Sequence, residues 1–225
     1  MTTVFDLHIH TQKYSDCSFI HPEELIAQAL DAKLNGIALT EHGMRWPDEE
    51  FAKLQNLAQP HGLVLINGQE ISARNEKNET EGDFLVFGVK HSLTGRYSAA
   101  ELADLVHDQN GIIVAAHPYK LSRRGKTHYY GAGDKIYHLS LDAVELYHPD
   151  HSYLAVTKVQ KAMQKLGIPG VGGSDAHKIF DVGSCVTLFE NEIKNEADFI
   201  DQIRRGNVQA QKKLDFWQTL SCAFV

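Results

Sequence analysis

Short apolar runs rich in β-branched residues alternate with helical stretches along almost the whole chain, and this rhythm limits the folds open to it. Residues 4–9, 36–40, 63–66, 84–89, 112–116, 143–147, 170–173 and 185–189 read as strands, each short, apolar and closed by polar or turn residues. Between them lie helix signals. Pro22 followed by Glu23 and Glu24, with Leu25, Ile26, Ala29 and Leu30 at helical spacing, opens one helix. Ser98 with Glu101 three residues later is a capping box that opens another. Further helices are expected at about 48–58, 152–166 and 196–205. Such alternation implies an α/β fold with a mostly parallel sheet, closed as a barrel or open and doubly wound. No repeat or linker-like segment divides the sequence, so a single domain is expected over residues 1–225, with the tail from about 206 to 225 unassigned.

The chain holds 13 histidines, and several fall where these strands end. The first ends in Asp6-Leu7-His8-Ile9-His10-Thr11 and the second in Thr40-Glu41-His42. The third leads to Gly68-Gln69-Glu70, the fifth ends in His117-Pro118, and the seventh in Ser174-Asp175-Ala176-His177. In a β/α barrel the C-terminal strand ends and the loops after them open on one face, so residues far apart in sequence meet there. Side chains two apart on an extended strand point the same way, so His8 with His10, and Asp175 with His177, can each face one centre. Adjacent Glu41 and His42 point oppositely, which favours His42 as the one that faces a metal.

Imidazole and carboxylate without thiolate suit divalent Zn, Mn or Fe and do not suit an all-oxygen calcium cage. His8, His10, Asp16, His42, Glu70, His117, Asp175 and His177 make at least eight candidate ligands, too many for one ion that keeps an open position. Two or three ions sharing a bridging carboxylate is the economical arrangement, with Glu70 as the candidate bridge. The remaining histidines read as ordinary surface or core residues, His91 and His148 being left open.

Composition narrows the partners. Charged residues are 22 basic and 29 acidic, a net charge of −7, which argues against a broad basic surface for nucleic acid. No apolar run approaches the ~20 residues of a membrane helix, and the start lacks a signal-peptide pattern. Three widely spaced cysteines, Cys17, Cys185 and Cys222, suggest neither a disulfide framework nor a cysteine zinc knuckle, so a cytoplasmic setting is expected.

Taken in order, the HxH with Asp16, the T-E-H, the G-x-E, the AHP and the SDxH resemble the motifs of the polymerase and histidinol phosphatase (PHP) domains, and they span residues 4–190. The resemblance implies a distorted seven-stranded (β/α) barrel with a trinuclear metal site at its C-terminal face, and hydrolysis of phosphoesters. It also implies that His8, His10, Glu70 and Asp175 hold one ion. Glu70 would bridge to a second held by His117, and Asp16, His42 and His177 would hold a third. Two positions depart from the family pattern. Asp83 stands where many members place a histidine, leaving Asp83 or His91 to complete the second ion's ligands. His148 stands where relatives often have asparagine, and is a candidate to touch substrate or donate a proton.

The expected activity is release of phosphate from a small phosphomonoester, such as a nucleotide or an amino-alcohol phosphate, by a metal-activated water. His42, His177 or His148 would protonate the leaving group. The loop after His117 offers Lys120, Arg123 and Arg124 to the phosphate, the arginines through their planar fork. Other readings are a 5′ exonuclease on short RNA or DNA, an amidohydrolase-type enzyme, and a non-catalytic metal-binding module. Oligomeric state is not legible in the sequence.

Overall fold

The alternation resolves into nine strands and five α-helices among the residues described by the computed structural model, 2–121 and 131–213. In chain order they are β1 (Thr3–Ile9), α1 (Pro22–Asp31), β2 (Gly36–His42), α2 (Asp48–Ala58), β3 (Val64–Arg74), β4 (Thr80–Phe87), α3 (Ala99–His107), β5 (Ile112–Ala115), β6 (Ala143–Tyr147), α4 (Tyr153–Leu166), β7 (Gly170–Gly172), β8 (Cys185–Phe189), α5 (Glu196–Arg204) and β9 (Val208–Lys212). The expected helices form for the expected reasons. Pro22 occupies the first turn of α1, where its missing N–H is not needed, and Leu25, Ile26 and Ala29 bury one face. Ser98 and Glu101 close a reciprocal capping box at the start of α3.

One sheet carries all nine strands in the order β7-β6-β5-β4-β3-β2-β1-β8-β9. It curls until its ends nearly meet. Thr187 of β8 accepts the Gly172 N–H at 2.9 Å and donates to the Gly172 carbonyl at 3.0 Å, and His10 N–H reaches the Ala176 carbonyl at 3.0 Å. A side chain at Gly172 would meet the Val186 carbonyl oxygen at 2.4 Å, so the closure depends on glycine there. The result is the distorted α/β barrel that was expected.

The sheet is less parallel than the sequence suggested. Pairs β1-β2, β2-β3, β5-β6 and β6-β7 are parallel, whereas β1-β8, β3-β4, β4-β5 and β8-β9 are antiparallel. The reason is loop length: the stretch 75–79 between β3 and β4 is too short for a crossover of ten or more residues, so β4 must reverse. A second correction concerns the stretch from 206 onward, where 208–212 forms β9 on β8. Its sequence, Val-Gln-Ala-Gln-Lys, buries only Ala210 and carries almost no apolar signal.

These directions sort the two ends of the barrel. Phe199 of α5 packs on the rings of Phe5, Phe87 and Phe189, so one end is filled by aromatic side chains. The C-terminal ends of β1, β2, β3, β5, β6 and β7 gather at the other end. β4 begins there, because it runs the opposite way, and it brings Asp83 opposite Ser72 of β3.

Candidate metal centre

His8 on β1 and His10 just past its end are completely buried and place their Nε2 atoms 3.1 Å apart. Glu70 Oε2 lies 3.5 Å from the first and 3.4 Å from the second, and Asp175 Oδ1 lies 3.4 and 3.3 Å from them. Four ligand atoms therefore face one another with five mutual distances between 3.1 and 3.5 Å. A tetrahedron with centre-to-ligand bonds of about 2.0–2.1 Å has edges of about 3.3–3.4 Å, so this set fits a divalent ion.

The tautomers agree with that fit. His8 Nδ1 donates to Glu145 Oε1 at 2.9 Å. Ser15 Oγ uses its hydrogen on Glu41 Oε2 at 2.6 Å and so accepts from His10 Nδ1 at 3.3 Å. Once their Nε2 protons give way to a metal, both rings would turn an Nε2 lone pair inward, as a metal-holding histidine with a partner behind it does.

Further ligand groups adjoin the first. Glu70 Oε1 lies 3.1 Å from His117 Nε2, and Glu70, Asp83 and His117 form a second set with ligand atoms within 4.8 Å. His10, His42 and His177 form a third, and His117, His148 and Asp175 a fourth. Glu70 Oε2 also meets His42 Nδ1 at 2.9 Å, so this carboxylate does lie between two histidine sets. His117 Nδ1 is buried with no hydrogen-bond partner. His117 and Asp175 both hold the left-handed backbone, at φ 27° and 50°, a strain of the kind that collects where side chains must be aimed.

Mutual charge dominates the electrostatics. Burial would lower the pKa of His8, yet the carboxylates of Glu145, Asp175 and Glu70 hold it well above the usual histidine value. Burial would raise Glu70 and Asp175, yet the His8 charge and imidazole hydrogen bonds hold both well below the usual carboxylate range. Burial pushes His148 down to about 4. Asp83 is raised, by burial first and then by the charge of Glu70.

A cavity of about 540 Å³ opens over these groups, lined by Cys17, His42, Ser72, Lys120, Leu121 and Asp150 as well as ligand candidates. Lys120 Nζ bonds Asp175 Oδ2 at 2.8 Å and Asp150 at 3.3 Å. Not every expected residue joins. Asp16 is exposed and belongs to none of the four sets, because the turn after Thr11 points Ser15 inward in its place. His91 is exposed as well, and Asp83 is the residue found beside Glu70 and His117. Arg123 and Arg124 lie outside the described residues.

Three buried carboxylates stand behind the ligands in roles that the sequence did not reveal. Glu145 holds His8 and, through Oε2, accepts the His117 backbone N–H at 2.6 Å. Glu41 accepts from Thr11, Ser15 and Trp46. Asp6, pushed up to about 6 by burial, accepts backbone N–H groups of Ser174 and Gly183. The available signal was a lone acid inside an apolar run, as in Ala-Val-Glu-Leu-Tyr of β6.

Comparison with known proteins follows the same lines. A family profile described as PHP domain matches residues 6–157, and one described as PHP-associated matches residues 155–208. An uncharacterised protein of Methanocaldococcus jannaschii is 26% identical over 173 residues, which cover 70% of this chain and 92% of that one. Among solved structures, a proposed metal-dependent phosphoesterase of Bifidobacterium adolescentis superposes with TM-score 0.62 at 17% identity over 95% of this chain and 97% of that one. PsfC of Pseudomonas syringae gives TM-score 0.65 at 18% identity, over 94% and 92%. An amidohydrolase of Chromobacterium violaceum, solved with sulfate and no metal, gives 0.61 at 15%, over 94% and 98%. At these identities the solved structures share the fold.

Proposed function

The chain belongs to the PHP domain family, and from that premise we propose that it is a metal-dependent hydrolase that cleaves phosphoesters at the histidine and carboxylate centre. The observation that carries the proposal is the convergence of His8 Nε2, His10 Nε2, Glu70 Oε2 and Asp175 Oδ1, four acceptor atoms packed as a cation's ligands would be. His8, His10, Glu70 and Asp175 would hold one ion, Glu70, Asp83 and His117 a second, and His10, His42 and His177 flank a third position. Asp16, exposed here, is left out of that set.

Bound divalent ions of the Zn, Mn or Fe type supply acidified water and neutralise phosphoryl oxygens. The residues do the rest. Glu145, Ser15 and the Asp175 carbonyl orient the rings of His8, His10 and His177 through their Nδ1 atoms. Lys120, the described cation of the cavity wall beside Asp175, is in place to meet a phosphoryl oxygen. His42, whose side chain is 48% exposed, and His177, 28% exposed, are the histidines open enough to pass a proton to a leaving oxygen.

A small phosphomonoester remains the first choice of substrate. A second reading, a nucleotide-bearing phosphodiester or a short oligonucleotide, is favoured by one feature: the rings of Phe19, Phe180 and Tyr153, the last in the first turn of α4, are exposed on segments that follow site residues, as stacking platforms for bases often are. No helix among the described residues is long and apolar enough to cross a membrane. The free thiols of Cys17 and Cys185 suit a reducing, cytoplasmic setting.

The test is hydrolysis by protein stripped with chelator and reloaded separately with Mn²⁺, Zn²⁺ or Fe²⁺. Substrates are p-nitrophenyl phosphate, bis-p-nitrophenyl phosphate, phosphorylated metabolites and short oligonucleotides. Activity that returns with metal and is lost in His8→Ala is expected. No metal uptake under any loading condition would sink the reading.

A further inference from the structure

Five imidazoles, His8, His10, His117, His148 and His177, crowd the Asp175 side of the centre, and one of them is oriented against three of the others. His8, His10 and His177 each turn Nδ1–H outward, to Glu145 Oε1 at 2.9 Å, Ser15 Oγ at 3.3 Å and the Asp175 carbonyl at 2.9 Å, so Nε2 is the nitrogen that each would offer to a metal. In His148 the polarity is reversed. Its Nδ1 lies 3.0 Å from the backbone nitrogen of Asp150, a group that can only donate, so Nδ1 carries no hydrogen and Nε2 must. That Nε2–H points at Asp175 Oδ2, 3.2 Å away.

We infer that His148 is an Nε2–H donor that fixes the Asp175 carboxylate, a positioning residue, and is not itself a metal ligand. Proximity alone would group it with His117 and Asp175 as a possible ion site. The lone pair such a site requires, however, points away from it, into the turn. The turn is built to keep it so: His151 N–H bonds the His148 carbonyl at 3.0 Å, and His151 Nδ1 bonds the Leu146 carbonyl at 3.1 Å. Both residues are buried.

The consequence falls on Asp175. Its Oδ1 faces the Nε2 atoms of His8 and His10, while its Oδ2 is held by His148 and by Lys120 Nζ at 2.8 Å. The carboxylate is thus divided, one oxygen for the metal and one for donors that set its plane. Lys120 is long and reaches Asp150 as well, whereas His148 is locked by its turn and supplies the fixed direction. Partners of this kind are worth about 10–100-fold in metal affinity.

The inference rests on the metal-centre reading above, but its first test does not. Nitrogen-15 NMR of the histidine rings, with the His148 signals identified by their absence in His148→Gln, reads the tautomer in metal-free and zinc-loaded protein. The Nε2–H tautomer in both is expected. An Nδ1–H tautomer in the metal-free protein, or a zinc-coordinated Nε2 in the loaded one, overturns the assignment. If no metal binds at all, the proposed function fails while the metal-free spectrum still decides the tautomer. The second test is metal affinity with fold checked by circular dichroism. His148→Ala should weaken zinc binding about 10–100-fold at unchanged stoichiometry, and His148→Gln, which can present an amide N–H to Oδ2, should recover most of it. Unchanged affinity in the alanine variant, or loss of one zinc equivalent that glutamine does not restore, overturns the positioning role.

Discussion

Glu145 Oε1 stands 2.9 Å from His8 Nδ1, with both side chains fully buried, while the other oxygen of the same carboxylate accepts the His117 backbone N–H at 2.6 Å. One acid on β6 therefore aims a ligand candidate on β1 and anchors another after β5. Both of its partners donate here, so an amide of the same shape must turn its NH₂ either against the His117 N–H or toward His8 Nδ1, where it forces the ring into the Nε2–H tautomer.

Glu145→Gln should accordingly keep the fold and weaken the centre. An opposed His117 N–H costs about 1–3 kcal/mol and a reversed His8 tautomer withdraws its Nε2 lone pair, so metal affinity should fall about 10–100-fold. Equilibrium dialysis with metal analysis measures this. Wild-type affinity in the variant would show that the contact does not orient His8.

The charge pattern of the centre sets its response to pH. His8 has a raised pKa, so its contribution to the metal-free fold is fully present below about 6.5 and is lost as pH rises through the raised value. Glu70 and Asp175 are depressed, so their contribution is present above about 4 and is lost on acidification. The melting-temperature gap between metal-free wild type and His8→Gln should be widest at pH 5–6 and should narrow as pH rises. Metal must displace the His8 proton, so affinity should climb with pH by about tenfold per unit for each proton released. Calorimetry in buffers of different ionisation enthalpy counts those protons.

Gly173 sits against the same pair. A Cβ there would meet Glu145 Oε1 and the His8 Cβ, each at 2.5 Å, and neither buried group can withdraw. Gly173→Ala should destabilise the protein by about 1–3 kcal/mol through overpacking and should lower metal content at the same time. Thermal melting and metal analysis on one preparation check both. Loss of stability with full metal content would place the strain elsewhere.

What the sequence made legible was whatever depends on strand geometry. His8 and His10 share a direction because extended residues alternate, Glu41 and His42 diverge for the same reason, and the barrel follows from the β/α rhythm. What stayed hidden depends on turns and on long-range pairing. Nothing local tells that Ser15 rather than Asp16 turns inward, that five residues between β3 and β4 force a reversal, or that β9 pairs β8 with only Ala210 buried. Glu145 was visible as a residue and invisible as a role, because a buried glutamate declares its partners only when β1 and β6 are brought to face each other.

Glu41 extends this logic to the far side of His10. Its Oε2 accepts Thr11 N–H at 3.0 Å and Ser15 Oγ–H at 2.6 Å, and its Oε1 accepts Thr11 Oγ1–H at 2.5 Å and Trp46 Nε1–H at 2.8 Å. Every partner donates, and the Thr11 and Trp46 N–H groups cannot rotate to accept instead. Glu41→Gln must therefore set an NH₂ against a buried donor, and Glu41→Ala leaves both fixed N–H groups unpaired. At about 1–3 kcal/mol for each unsatisfied group, Glu41→Ala should cost about 2–6 kcal/mol, or about 4–24 °C in melting temperature for a chain of this size. The second effect reaches the metal. Ser15, freed from Glu41, can turn its hydrogen toward His10 Nδ1, which reverses the His10 tautomer and withdraws its Nε2 lone pair from Glu70 and Asp175. Metal affinity should then fall further than in a variant of equal melting temperature made away from this end of the barrel. Comparing Glu41→Ala with such a variant, by zinc titration and by the Trp46 indole N–H resonance, separates the tautomer effect from plain instability. Equal affinities in the two would confine Glu41 to a structural role.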